Sequence, residues 1–476
     1  MGQKVDLAVI GSGGAAFSAA IRARRLGKSV VMIEQSTVGG TCVNIGCVPS
    51  KALIVAAEAR RVAADAPGRF PGIATMAGPV DMPGLVGGKQ SLVEGLRSAK
   101  YVDLAESYDW PIRHGVATFT GTPDAPVLRV TGADGTPEML EAAHYLIATG
   151  AHPWAPDLAG LEQVDYLTST TAMELTEVPE SLLVLGGGYV ALELAQLFAR
   201  LGSTVTMLVR SRLASAEEPE VNQVLESVFA DEGITVVRQA QLTTITQDEA
   251  TGEVTATATV AGRTGQFRAQ RVLVALGRRP VTEALDLETV QVQTGVGGEI
   301  VVDDSLATAN PRIWAAGDVT GHPEFVYVAA HHGAMVVDNA FTGAARTVDY
   351  SHLPRVTFTS PAIGAVGMTE KQALAAGYRC NCRVLQLDYV PRALVNRDTR
   401  GFIKIVIDED TGRILGITAV AKDAGELAAA GVFLLEGQQT YQDVATMWAP
   451  YLTMTEGIKL ACQSFTTDPS QLSCCA

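Results

Sequence analysis

No run of apolar residues in this chain approaches the roughly 18 that a membrane-spanning helix needs, so no span is expected. The N-terminus enters a strand pattern at once, without a basic n-region and an apolar h-region. Export is therefore not expected, and the chain reads as cytoplasmic. Basic residues are the minority: 36 Lys and Arg against 51 Asp and Glu give a formal charge of −15, which argues against nucleic acid as a partner. Cysteine is sparse and odd in number, seven in all, grouped as 42/47, 380/382, 462 and 474/475. That is not the framework of a secreted, disulfide-stapled fold; in a reducing compartment such pairs serve catalysis or metal binding. What is present, 47% hydrophobic residues, 18% charged residues and 47 glycines in 476 residues, describes a globular α/β chain with room for two to four domains.

The stretch Gly39-Gly40-Thr41-Cys42-Val43-Asn44-Ile45-Gly46-Cys47-Val48-Pro49-Ser50-Lys51 carries the most chemistry. Residues five apart on a helix rise about 7.5 Å, past the roughly 7 Å at which two cysteine Cα atoms can be bridged. Cys42 is therefore expected in a loop or a distorted first turn. Pro49 suits the first turn of a helix, and the alanine-rich run after Lys51 continues it. The cysteines are thus placed at a helix N-terminus, where the dipole and Lys51 favour thiolate over thiol. Spacing alone leaves a structural disulfide, a redox pair and a metal-binding pair open.

Two βαβ units flank this chemistry. In the first, strand Val5–Ile10, helix Ala15–Leu26 and strand Val30–Ile33 enclose Gly11-x-Gly13-x-x-Ala16, and Glu34 follows Gly11 by 23 residues. Glycines there let a pyrophosphate approach the helix N-terminus, and the acid accepts ribose hydroxyls. In the second, strand Leu182–Leu185, a helix to Leu201 and strand Val205–Val209 enclose Gly186-x-Gly188-x-x-Ala191. Val209 stands where Glu34 would align, followed by Arg210 and Arg212, a pair suited to a 2′-phosphate. NADPH is inferred there in preference to NADH.

Two further segments, Tyr145–Pro153 (YLIATGAHP) and Val272–Pro280 (VLVALGRRP), echo each other after polar stretches that read as β-meanders. One ancestral domain used twice explains the echo. Ile313–Asp318 is another apolar strand, ending in Gly317-Asp318, a carboxylate able to bind polyol hydroxyls. From about residue 352 strands Thr357–Phe358, Val384–Leu387, Phe402–Ile407 and Ile414–Val420 alternate with helices near Glu370–Ala376, Ala424–Leu435 and Thr455–Ser464. No nucleotide turn occurs there, so this is a separate α+β domain. The polar final stretch, Thr466–Ala476, has little to pack and is expected to be mobile, yet ends in Cys474-Cys475.

In order and over its whole length, this arrangement resembles the flavin-dependent pyridine nucleotide disulfide reductases. The resemblance implies two Rossmann-like dinucleotide-binding domains plus a C-terminal α+β dimerisation domain: an FAD-binding domain at 1–150 and 277–350, an NADPH-binding domain at 151–276, and a dimerisation domain at 351–476. It implies that Gly11, Gly13, Gly14, Ala16, Glu34, Gly40, Thr41, Lys51, Thr149, Gly150, Gly317 and Asp318 serve FAD, and that Gly186, Gly188, Ala191, Arg210, Arg212 and Gly277 serve NADPH. Cys47 would lie against the flavin as thiolate and Cys42 would face the substrate. Lys51 would pair with Glu193, and Tyr189 would cover the nicotinamide pocket.

The chain departs from the glutathione- and lipoamide-reducing members in its C-terminal acid/base dyad. Glu456 is present, but the histidine position holds Tyr451, and no histidine lies after His352. A phenol with a pKa of about 10 accepts protons poorly near neutrality. The Tyr451 segment and the Cys474-Cys475 tail instead resemble the mercury(II)-reducing branch. A soft divalent ion prefers thiolates and passes between pairs without a general base. The tail would capture Hg(II) from a thiol complex and deliver it to Cys42 and Cys47, those of the other subunit of a homodimer, past Tyr189 and Tyr451. The chain opens at the FAD-binding strand, without the N-terminal metal-binding domain that many such relatives carry. Cys380 and Cys382 read as structural or incidental, and Cys462 as core. The alternatives are a disulfide reductase of the lipoamide dehydrogenase type and a non-catalytic soft-metal-binding protein.

Overall fold

Val, Ile and Leu fill the strand β1 (Lys4–Ile10), whose residues from Leu7 on are almost all withdrawn from solvent, and such a strand must be covered on both faces. In the computed structural model, which describes residues 4–471, β1 sits at the centre of a seven-stranded sheet. It pairs in parallel with β2 (Val30–Glu34) on one side and with Pro137–Ile147 on the other. Helix α1 (Gly14–Arg25) crosses between β1 and β2. The distal strands, Val116–Thr122 and Ala125–Thr131, run antiparallel into Pro137–Ile147 as a meander. Ile313–Ala315 returns from much later in the chain to pair in parallel with Pro137–Ile147. That return carries Gly317 and Asp318 back to the first nucleotide loop.

The second unit repeats the plan. Ser181–Leu185, Thr204–Val209, Thr235–Arg238 and Arg271–Val274 form a parallel four-stranded sheet, and Ala240–Gln247, Val254–Val260 and Arg263–Ala269 an antiparallel meander. The two echoing segments meet: Ala151–Pro153 and Arg278–Pro280 pair antiparallel with each other, tying the units at equivalent points.

The C-terminal sheet has five strands, with Ala362–Gly367 between Arg355–Thr357 and Ile414–Ala421. Ala362–Gly367 is not anticipated by the sequence pattern, because Gly364 and Gly367 depress strand propensity. Both are there for space: a Cβ on Gly364 would lie 2.0 Å from the Ala424 carbonyl oxygen. The edge strand begins at Cys380, earlier than the expected Val384, and ends at Gln386. Helices Met82–Arg97 and Val326–Thr342 are likewise unanticipated.

Among the described residues one helical stretch, Gly40–Arg69, is long and apolar enough by length and composition to cross a membrane. It is two helices, α2 (Gly40–Asn44) and α3 (Cys47–Arg69), with a break at Ile45 and Gly46. Tail residues Cys474 and Cys475 lie outside the described residues.

Candidate active site

Glycine is required where the first nucleotide loop turns. Gly11 has φ +104, and a Cβ on it would lie 2.3 Å from the Ala148 carbonyl oxygen; Gly186 has φ +130 and stands 2.3 Å by the same measure from that of Ala275. The two units thus share one construction. Gly40, at φ +67, is pressed onto Gly13: a Cβ there would come within 2.5 Å of the Gly13 Cα. This close approach seats α2, and with it Cys42, on the nucleotide loop.

A cavity of about 460 Å³ opens above the loop. Gly11, Gly13, Gly14, Glu34, Gly40, Thr41, Thr149, Gly150, Gly317 and Asp318 line it, together with Cys42, Cys47, Lys51, Tyr189 and Glu193. Ala16 does not; it is buried beneath the loop, where a larger side chain would push α1 off the sheet. Gly13 caps α1 without any side-chain partner, so the first N–H groups of the helix are left for a ligand. Buried Glu34 accepts from Ser12 Oγ at 2.5 Å, and from Ser36 N at 2.7 Å and Ser36 Oγ at 3.0 Å. Ser12, not singled out in the sequence, also accepts from Gly39 N at 3.0 Å and so joins the acid to the start of the cysteine segment. Glycine cradle, uncapped helix start, buried acid and Asp318 together fit an FAD.

Cys42 lies in α2, a single turn, and Cys47 is the first residue of α3. Only the second cysteine is therefore at the N-terminus of the long helix. Gly46 makes the break possible, since a Cβ on it would stand 2.9 Å from the Thr41 carbonyl oxygen and 3.3 Å from the Cys42 Cα. Both thiols are free, and they share a proton. The hydrogen bond from the Cys42 thiol, aided by the Lys51 charge, outweighs burial and brings Cys47 down to about 7. The same bond, with burial and the charge on Cys47, pushes Cys42 above the ordinary thiol range. Near neutral pH the first proton to leave the pair is that of Cys47, and the resulting thiolate accepts from the Cys42 thiol.

Lys51 Nζ donates to Glu193 Oε2 at 2.7 Å, joining α3 to α4 (Tyr189–Leu201). The remaining Glu193 oxygen accepts from Phe358 N at 2.9 Å, and the Phe358 ring lies 4.6 Å from Lys51 Nζ. Phe358 belongs to the C-terminal unit and was not legible as a site residue. One and two turns along α4, Gln196 and Arg200 continue the join: Gln196 exchanges hydrogen bonds with the Ser360 backbone at 2.8 and 2.9 Å, and Arg200 pairs with Glu58 of α3 and donates to the Ser360 carbonyl at 3.3 Å. Burial, then the charge of Glu324, pushes Tyr189 up to about 12, so it faces the cavity as a neutral phenol. Burial raises Asp318 against the pull of Arg278, whose guanidinium lies 3.9 Å from Asp318 and 3.4 Å from Glu324. Arg278, at the end of the second echo segment, is another site residue the sequence reading missed.

Other expected residues lie elsewhere. Gly186, Gly188, Ala191, Arg210, Arg212 and Gly277 belong to the second nucleotide unit and do not line the cavity. Arg210 is exposed, whereas Arg212 turns inward and donates to the carbonyls of Ser215 at 3.0 Å and Glu217 at 2.7 Å. Tyr451 is about half exposed and does not line the cavity of its own chain; Glu456 is buried, accepting from Leu452 N at 3.1 Å. Cys380 and Cys382 are partly buried on the edge strand and Cys462 is fully buried. No group of three or more His, Cys, Asp or Glu residues among the described residues could hold a metal ion. The thiols the cavity offers a soft metal are Cys42 and Cys47.

Sequence profiles for the pyridine nucleotide-disulphide oxidoreductases and for their dimerisation domain match residues 5–333 and 353–462. The chain is 57% identical to a mercuric reductase of Streptomyces lividans, over 99% of this chain and 98% of that one. It is 45% identical to a mercuric reductase of Lysinibacillus sphaericus, over 99% and 84%. Among solved structures, the Cu(II) complex of the HOCl-induced flavoprotein disulfide reductase RclA from Escherichia coli is 28% identical, with a TM-score of 0.86 over 98% of this chain and 100% of that one. LpdA from Mycobacterium tuberculosis is 27% identical, with a TM-score of 0.87 over 97% and 100%.

Proposed function

The chain belongs to the pyridine nucleotide-disulphide oxidoreductases, in their mercuric reductase branch, and from that premise we propose that it reduces mercury(II) with NADPH at Cys42 and Cys47. It is an FAD-containing oxidoreductase and, through its dimerisation domain, a subunit of a homodimer. The net reaction is Hg(II) plus NADPH giving Hg(0), NADP⁺ and a proton. FAD, when bound, supplies the two-electron path between the nicotinamide and the metal ion. On this reading 1–150 and 277–350 serve FAD, 151–276 serve NADPH, and 351–476 form the interface.

The observation that carries the proposal is the thiolate–thiol pair at the cavity. Cys47 enters as a ready ligand, and a soft ion completes its preferred two-thiolate coordination by displacing the proton of Cys42. Lys51, held by Glu193 and Phe358, keeps a positive charge beside Cys47. The glycines of the first loop leave room for a pyrophosphate, Glu34 takes ribose hydroxyls, and Asp318 takes the polyol chain. Cys474 and Cys475 capture the ion from its thiol complex and hand it to Cys42 and Cys47 of the partner subunit. Tyr451 and Tyr189 offer phenolic oxygens on the way. Thiolate-to-thiolate transfer needs no imidazole, which accords with Tyr451 standing in the histidine position.

NADPH oxidation by the FAD-loaded protein, offered mercury(II) in excess small thiol or oxidised lipoamide or glutathione, tests the reading. Turnover with the disulfides and none with mercury would overturn it in favour of a lipoamide dehydrogenase type. Tight metal binding without turnover on either would make the protein a sequestering one. The second loop carries its own expectation. Arg210→Glu should raise the KM for NADPH about tenfold and leave that for NADH nearly unchanged, because a carboxylate repels the 2′-phosphate that NADH lacks. Equal changes for both nucleotides would remove Arg210 from phosphate recognition.

A further inference from the structure

Three side chains behind the cavity have no part in the chemistry above. His332, in helix Val326–Thr342, is completely buried. Its Nδ1 lies 3.3 Å from the Gly317 N–H, which donates to it. Its Nε2 lies 2.7 Å from the hydroxyl of Tyr350, and that hydroxyl lies 2.5 Å from His322 Nδ1. The His322 and His332 rings also meet edge to face at 5.6 Å.

The donor sense of this chain is fixed at its inner end. Gly317 N can only donate, so His332 Nδ1 accepts; burial pushes His332 down to about 4, leaving one ring proton, which sits on Nε2 and points at Tyr350. Tyr350, accepting that bond, turns its own proton to His322. The carbonyl of Gly317 is also held: Thr320 Oγ donates to it at 2.7 Å and Thr320 N at 3.0 Å, so both backbone polar groups of Gly317 are fixed. Gly317 itself has φ +77, and a Cβ on it would lie 3.2 Å from the Ala329 Cβ and 3.5 Å from that of Ala15, so the turn is also packed between the two helices. Gly333, next to His332, lets its helix press against α1 so closely that a Cβ there would lie 2.0 Å from the Ala15 carbonyl oxygen. His332 is thereby braced against the helix that starts at the nucleotide loop.

We propose that His332, backed by Tyr350 and His322, is a positioning residue for the flavin site, holding the Gly317–Asp318 turn so that the Asp318 carboxylate faces the cavity. It rests on the reading of that cavity as the FAD site. The experiment is FAD release from the full-length holoenzyme on dilution, followed by free-flavin fluorescence, in the parent, His332→Leu, His332→Asn and Tyr350→Phe. Asparagine places a carbonyl oxygen near the position of Nδ1 and can accept from Gly317, whereas leucine fills the space without an acceptor. His332→Leu is expected to loosen FAD about tenfold and His332→Asn less than about threefold, the value of one buried hydrogen bond. A packing role predicts the reverse order, since leucine fills the volume better than asparagine. FAD held equally or more tightly by His332→Leu than by His332→Asn would overturn the proposal. If His332→Leu yields no folded protein, Tyr350→Phe decides: several-fold faster release supports the proposal and unchanged release overturns it. A parent protein that retains no FAD would instead refute the flavin reading itself, and the proposal with it.

Discussion

Cys47→Ala is expected to lower mercury-dependent NADPH oxidation by about 10³-fold or more, a loss near 4 kcal/mol of transition-state stabilisation. One thiol cannot complete a two-thiolate coordination, and the described part of the cavity offers no third cysteine or histidine cluster to replace it. Cys42→Ala should fall as far, with a second consequence that separates the two roles. The largest influence lowering Cys47 is the hydrogen bond from the Cys42 thiol, with Lys51 assisting. Removing Cys42 should therefore return Cys47 toward the ordinary thiol value. Since the thiolate is the reactive form and its fraction grows as pH rises through the pKa, alkylation of Cys47 in the parent should be half-maximal near pH 7, the value to which its environment brings it. In Cys42→Ala the midpoint should move to higher pH, read at Cys47 by peptide mass spectrometry so that the other thiols do not interfere. An unmoved midpoint would mean that Lys51 and the start of α3 hold the thiolate without Cys42.

The parts of the site that were legible in the sequence are those built within one local unit. Gly11 and Gly186 each turn a strand into a helix against a carbonyl just past the end of a paired strand, Ala148 and Ala275, and the need for glycine is visible as spacing. The five-residue gap between Cys42 and Cys47 foretold a break, although not that Cys42 would occupy a helical turn of its own. The join of Lys51 to Glu193 came from resemblance, because nothing local links residues 142 apart. What stayed hidden depends on how units dock. Phe358, Gln196 and Arg200 are unremarkable until the C-terminal unit is laid against α4, and Arg278 becomes a site residue only when the two echo segments pair. Arg212 looked equivalent to Arg210, yet its Nη2 is bonded to nearby carbonyls while its Nη1 is buried without a partner among the described residues. Tyr451 is absent from the cavity lining of its own chain.

Lys404→Met should be the most damaging substitution away from the chemistry, costing about 3–5 kcal/mol of stability. Lys404 is 1% exposed and donates to Glu218 at 3.2 Å, Glu220 at 2.9 Å and Glu370 at 2.9 Å. Two of these acids begin the helix Pro219–Asp231 of the nucleotide unit, and the third begins the helix Glu370–Ala375 of the C-terminal unit, so one ammonium ion holds both units. Glu218 also accepts from Glu370 N at 2.7 Å, and Arg355 pairs with Glu217 at 3.0 Å beside it. Methionine would fill the space but leave Glu218, 2% exposed, as a buried carboxylate without its cation. Part of the loss depends on pH. In the parent, Lys404 holds the Glu370 carboxyl below its ordinary value, so that contribution is present above the unfolded pKa and is lost as pH falls through the folded one. The deficit against the parent, measured from urea denaturation midpoints, should therefore stay level from neutrality to about pH 5 and shrink as pH falls through and below the ordinary glutamate value of about 4.3. A deficit that stayed constant would mean the acids had found other partners or water. Because Phe358 reaches Lys51 from the same C-terminal unit, the variant should also lose mercury turnover at urea concentrations below those that unfold it.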